Sequence, residues 1–161
     1  MRVKEIKKMF ENWEAAKYLG LHLDDLEQGK CEVALEIKKG VMTPHEDSVL
    51  LGGIILTAAS MAGVMALMTL LKKEEDGLIT NVLEAKWFQP AILEERYVLI
   101  RTAILQPPDK NNAIIIARAV NQNEELKAKF LFRYTVVTKE RRHKHIEELR
   151  QRGEYYAKHS R

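Results

Sequence analysis

The stretch VLLGGIILTAASMAGVMALMTLL, residues 49–71, runs for 23 positions without a charge. A run of that length suits a helix that either crosses a bilayer or lies inside a protein core. Composition decides between the two. Ten of the 23 residues are Gly, Ala, Ser or Thr, which leaves modest apolar surface for contact with lipid. The segments that follow alternate apolar and polar residues, a pattern that needs water on one face of a sheet. The run therefore reads as a helix wrapped on most sides by a sheet.

Upstream of it, Cys31, Val33, Leu35 and Ile37 alternate with Glu32, Ala34, Glu36 and Lys38, and Gly40 closes this strand. Val3, Ile6, Phe10 and Trp13 recur at spacings of three and four, which predicts one amphipathic helix over 3–17. Gly20 ends it, and residues 19–23 lead to a turn at Gln28-Gly29. Downstream, the charged run 72–77 marks a surface turn, and four strands follow over 78–88, 96–106, 113–120 and 125–137. Pro107-Pro108-Asp109 and Asn121-Gln122-Asn123 supply turns between them. In the last strand Leu126, Ala128, Phe130, Phe132, Tyr134 and Val136 share one face, and Glu125, Lys127, Lys129 and Arg133 the other. No helix fits between these strands, which excludes a doubly wound parallel sheet. The expected fold class is α+β. A curled antiparallel sheet of about five strands wraps one long buried helix, preceded by an N-terminal helix and followed by a basic helical tail. The 161 residues suit a single domain over 1–138, with 139–161 as a charged tail.

The net charge of +3 is unevenly spread. Residues 139–161 hold eight Lys or Arg against four Glu, while the other 138 residues hold 18 basic and 19 acidic groups. Basic character belongs to the tail, so no groove across the body is expected to track a nucleic-acid backbone. The single cysteine, Cys31, opens an alternating strand and reads as a packed residue. With no disulfide possible and no secretory leader pattern at the start, a cytoplasmic setting is the expectation. Phosphate-binding loops, paired zinc cysteines and a Gly-x-Ser-x-Gly elbow are absent. His143 and His145 are two residues apart, a spacing that splits them between helix faces and argues against a metal site.

From about Tyr18 to Thr138 the chain resembles the hotdog-fold acyl-CoA thioesterase superfamily, and within it the phenylacetate-degradation type. The resemblance rests on the strand ending in Gly40, on Leu50-Leu51-Gly52-Gly53 entering the helix, on Trp87-Phe88-Gln89-Pro90-Ala91, and on Tyr134-Thr135-Val136-Val137. It implies a homodimer or dimer of dimers that holds an acyl thioester at the interface. Coenzyme A would enter only as part of the substrate, with no other cofactor, no nucleic acid and no membrane. In such proteins a His-Gly-Gly triplet opens the helix, and its amides polarise the thioester carbonyl. Gly52 and Gly53 keep that device, and Thr57 lies where a small hydroxyl residue sits near the thioester. The two glycines also admit a plainer reading, in which they only let the helix start close to another backbone.

The acid–base residues of the pattern are replaced. Leu51 stands where the histidine is expected, and Ser60, nine residues on, where a carboxylate is expected. A serine hydroxyl has no useful basicity without a partner. The preceding loop offers His45, Glu46 and Asp47 as base or nucleophile, because a related branch carries its acid there. The alternative reading makes that loop a solvated turn in which Asp47 or Ser48 caps the helix. Met61, Met65 and Met68 on the helix read as core. Three functions stay open on these residues: a thioesterase, an acyl-thioester or fatty-acid binder without turnover, and a structural module with a vestigial pocket.

Overall fold

The computed structural model describes residues 2–38, 49–71, 77–109, 112–138 and, in the C-terminal segment, 140, 141, 143, 144, 146–148 and 150. The single N-terminal helix expected over 3–17 is two helices, α1 (Arg2–Glu11) and α2 (Glu14–Leu19). Asn12 makes the break. Its side chain donates to the Lys8 carbonyl at 2.9 Å, and the Asn12 and Trp13 amides close on Met9 and Phe10. A side chain that bonds the preceding turn in this way competes with helix propagation. Ile6 and Phe10 carry the apolar stripe into the core. Gly20 ends α2 at φ +71°, where a side chain would be strained.

Six strands follow, one more than the sequence pattern indicates. They are β1 (Leu21–Glu27), β2 (Lys30–Glu36), β3 (Gly77–Trp87), β4 (Tyr97–Asp109), β5 (Asn112–Val120) and β6 (Leu126–Val137). The strand missed in sequence is β1. A register shift between Leu23 and Asp25 breaks its two-residue period, so Leu21 and Leu26 both reach the core although five residues apart. All neighbours are antiparallel, in the order β1-β2-β4-β5-β6-β3. The expected turn at Pro107-Pro108-Asp109 is instead the end of β4. The β2 partners of β4 stop at Ala103, so the prolines fall where β4 has β5 on one side only, and the register shifts there. A missing N–H is tolerated at such a place.

The long helix α3 (Gly52–Met68) lies across the concave face of β2, β4 and β5. Ala58, Ala59, Ala62 and Ala66 are wholly buried and let its backbone approach the sheet closely. Val33, Leu35, Val98, Ile100, Ile115, Phe130 and Phe132 face it at 0% exposure; each such side chain contributes roughly 1.5–3 kcal/mol. Met61 and Met65 are core, as their spacing indicates. Tyr134 closes this layer. Its hydroxyl donates to the Ser60 carbonyl at 2.8 Å in the space that Gly63 leaves, since a Cβ there would collide with the phenol. Burial pushes the Tyr134 hydroxyl up to about 12, against weaker opposing hydrogen bonds with Ser60 and Thr80.

The two sheet edges differ. β1 is short and carries Asp24, Asp25 and Glu27. β3 is 11 residues long, pairs with β6 alone, and leaves Ile79, Val82 and Leu83 about half exposed. Natural edges are usually shortened, charged or covered; β3 is not short, and its charges, Glu84 and Lys86, pair with each other near one end and leave residues 77–83 uncharged. Among the described residues no helix is long and apolar enough to cross a membrane.

Candidate functional site at the start of the central helix

Leu51 is the N-cap of α3, in extended conformation, and its side chain offers no oxygen to the first-turn N–H groups. The first turn of a helix leaves its amides without intrahelical partners, and they carry the positive end of the helix dipole. The Ile54 amide is bonded back to the Leu51 carbonyl. Leu51 is 46% exposed, so the residue standing where the resemblance expects a histidine faces water with an alkyl group.

The two glycines have different surroundings. A Cβ on Gly52 would lie 3.0 Å from Cη2 and 3.2 Å from Cζ3 of Trp87. The indole therefore rests on the helix start, held edge-on to Phe130 with ring centroids 5.1 Å apart. A Cβ on Gly53 would meet nothing within 4 Å. Packing against the Trp87 side chain, where the plainer reading expects another backbone, thus accounts for Gly52 and leaves Gly53 unexplained.

Thr57 and Ser60 continue from Gly53 along one stripe of α3, with Val64 next, at spacings of four, three and four. Gly53 and Thr57 are exposed, and Ser60 and Val64 are half-buried. Thr57 Oγ1 donates to the Gly53 carbonyl at 2.8 Å, so this hydroxyl is satisfied within the helix. Ser60 is fixed through its carbonyl by Tyr134. The structure thus places Gly53, Thr57 and Ser60 on one side of α3, with the exposed N-cap Leu51 at its start and Gly52 turned toward Trp87. His45, Glu46 and Asp47 lie outside the described residues.

The approach to the helix is clamped by residues that sequence reasoning passed over. The Leu50 amide donates to the Ala91 carbonyl at 2.8 Å, and Val49 bridges Ile92. The Ile92 amide in turn donates to Glu95 Oε2 at 3.0 Å, at the start of a 3₁₀ turn (Leu93–Glu95). Glu95 is buried against Lys127 and Asn121. Lys127, read in sequence as one of the polar-face residues of the last strand, is in fact 4% exposed. Its position on that face signals nothing about Glu95, which comes from a distant turn.

With this geometry in hand, the backbone can be compared with solved structures. A thioesterase family protein from Silicibacter pomeroyi superposes with a TM-score of 0.73 at 18% identity, over 86% of this chain and 99% of its own. A thioesterase from Haemophilus influenzae gives 0.71 at 17% identity, over 86% and 92%. The E. coli PaaI protein of the phenylacetic acid degradation operon gives 0.69 at 17% identity, over 84% and 94%. The fold is the hotdog, shared with these proteins. No protein-family model matches the chain, and no curated protein matches it in sequence. At these identities the hotdog likeness concerns the backbone, and residue roles must be argued from the site itself.

Two chemistries can be set against that site. Cys31 is no nucleophile: burial first, then the charges of Asp25 and Glu32, push its thiol up to about 12. Among the described residues no three His, Cys, Asp or Glu side chains converge on a point that would hold a metal ion. What the hotdog offers at the start of α3 is a polarising turn, an apolar indole wall and an open approach over Gly53.

Proposed function

We propose that this protein binds an acyl thioester with its carbonyl oxygen at the Gly53 end of the first turn of α3. The observation that carries the reading is the pair of glycines. Gly52 is explained by Trp87, whereas Gly53 lies open at the positive end of a helix with no side-chain cap from Leu51. Backbone N–H groups so placed favour the negative charge that develops on a thioester oxygen during attack. Leu51 and Trp87 would line the acyl side, and Thr57 the far wall.

The same reading makes the site a feature of a homodimer. The β3 edge is long and uncharged over residues 77–83, with Ile79, Val82 and Leu83 exposed, and the Gly53–Thr57–Ser60–Val64 stripe of α3 is left uncovered by its own sheet. Two copies paired antiparallel along β3 would remove both exposures and close the approach over Gly53. Such pairs can associate again into a tetramer.

For hydrolysis to free acid and thiol, the base or nucleophile would be Asp47 or Glu46, with His45 as a general base near neutral pH. A second reading, binding without turnover, is favoured by one observation: Leu51 and Ser60 bring neither a proton carrier nor a carboxylate to the helix. Thiol release from short, long and aryl acyl-CoAs, measured beside binding titrations of the same ligands, separates the two. Turnover lost in Asp47→Ala assigns the acid to the loop; turnover unchanged removes Asp47 from the mechanism. Binding without turnover selects the second reading, and there Ser60→Asp is expected to create hydrolysis. Absence of both binding and turnover overturns the proposal.

A further inference from the structure

A cavity independent of the start of α3 lies on the opposite face of the sheet. It measures about 620 Å³ and is walled by Gly77, Leu78 and Ile79 of β3, Thr135 and Val137 of β6, and Arg141, Lys144, Ile146 and Glu148 of the C-terminal segment. Strand alternation fixes its side. Phe132 and Tyr134 point to α3, so Thr135 and Val137 point away from it, and Ile79, the cross-strand partner of Thr135, points with them. The described residues between 140 and 150 are helical and overlie this outer face.

Two features of the groove run against simple helix docking. A helix packed home on an apolar strand pair would bury its aliphatic residues, yet Ile79 is 51% and Ile146 40% exposed across the gap. The helix also turns two cations toward that gap, Arg141 and Lys144, which at i and i+3 share one face. Glu148 completes the lining and has a partner of its own. Of the charged side chains that line the gap, Arg141 and Lys144 are cationic and Glu148 is anionic, a net of one positive charge that favours an anion. The volume falls within the roughly 300–1,000 Å³ of small-molecule sites.

We propose that this groove binds a single-chain alkyl carboxylate. The alkyl chain would lie along Ile79, Val137 and Ile146, and the carboxylate would be held by Arg141 and Lys144. Apolar walls alone would accept any hydrocarbon. The pair of cations over them selects an anionic head, and a volume of about 620 Å³ has room for one such chain.

The test is calorimetric titration of the full-length protein with dodecanoate, kept below its micelle-forming concentration. Saturable binding of one dodecanoate per chain is expected, weakening about fourfold for each methylene removed. Dodecanol should bind about tenfold more weakly or worse. The double variant Arg141→Gln/Lys144→Gln keeps helix-favouring side chains and should lose about tenfold in dodecanoate affinity, with the circular dichroism spectrum unchanged. Equal binding of dodecanol, undiminished binding by the double variant, or no saturable binding overturns the assignment. So does association with phosphatidylglycerol vesicles alone, which would make the face a lipid-surface contact. One-for-one competition between dodecanoate and an acyl-CoA would place the carboxylate at α3 and overturn it as well.

Discussion

The Lys127 ammonium lies 2.5 Å from a Glu95 carboxylate oxygen, with the two side chains only 5% and 10% exposed. Asn121 Nδ2 donates to the same carboxylate at 2.8 Å, and the Ile92 amide to its other oxygen at 3.0 Å. A buried pair is costly to desolvate, and its removal as a unit is often neutral, whereas removal of one partner strands the other charge. Lys127→Met is therefore expected to cost about 3–5 kcal/mol, and Glu95→Leu/Lys127→Met much less. Urea unfolding of the two variants checks this. Equal losses would mean that packing around the pair matters more than the charge.

Acid should act on the same pair. Burial raises the Glu95 carboxyl, but the hydrogen bonds from Lys127, Asn121 and the Ile92 amide outweigh it and hold the group below its ordinary 4.5. A carboxyl depressed in the folded state stabilises the fold fully above its unfolded value, and that contribution fades as pH falls through the folded value. Melting temperatures of the wild type and Glu95→Gln should thus lie furthest apart at neutral pH and converge below about pH 4.5. A gap that widens on acidification would reverse the assigned direction.

Cys31 supplies an independent check on the core. With 3% exposure and a thiol pushed up to about 12, it should resist a thiol reagent such as Ellman's in the native state and react fully in denaturant. Fast native reaction would show that β2 opens far more readily than its place between β1 and β4 implies.

The parts of this fold that were legible in sequence are those whose pattern is local. The uncharged run at 49–71 announces α3, and the alternation from Leu126 to Val136 announces β6. The misses share a cause as well. In β1 a bulge shifts the period between Leu23 and Asp25, so no two-residue template fits. The prolines of β4 look like a turn until one sees that β2 has already ended beside Ala103. Of the candidate site, Gly52 and Gly53 were visible as a pair, but their difference was not. Trp87 is 35 positions away from Gly52, and only the packing of β3 against the helix start reveals which glycine it touches. The same holds for Glu95 and Lys127, joined across 32 positions by the folding of the 3₁₀ turn onto β6.

The β3 edge gives a prediction on assembly. Val82 sits mid-strand, pairs with Phe132 on one side only, and is 49% exposed. Val82→Lys places a charge where a second copy would dock and leaves the β6 ladder intact. Light scattering should report a dimer or tetramer for the wild type and a monomer of unchanged circular dichroism for the variant. A monomeric wild type would remove the interface from the proposed site. An unchanged assembly in the variant would move it to another face.

The two glycines at the start of α3 allow the sharpest separation of packing from binding. Alanine at Gly53 meets nothing within 4 Å, and alanine is favoured over glycine in a helix by roughly 0.5–1 kcal/mol in its interior and less in its first turn. Gly53→Ala should therefore fold as well as the wild type or slightly better. Alanine at Gly52 must displace the Trp87 ring, 3.0 Å from the new methyl group. The chain has two tryptophans, so in a Trp13→Phe background the emission of Trp87 alone can be followed. It should shift in Gly52→Ala and stay fixed in Gly53→Ala. Because the fold does not require a glycine at 53, the methyl group there acts only on a ligand. Weaker acyl-thioester binding by a normally folded Gly53→Ala would set the carbonyl over that residue. Unchanged binding would leave α3 with a glycine pair whose sole use is to seat an indole.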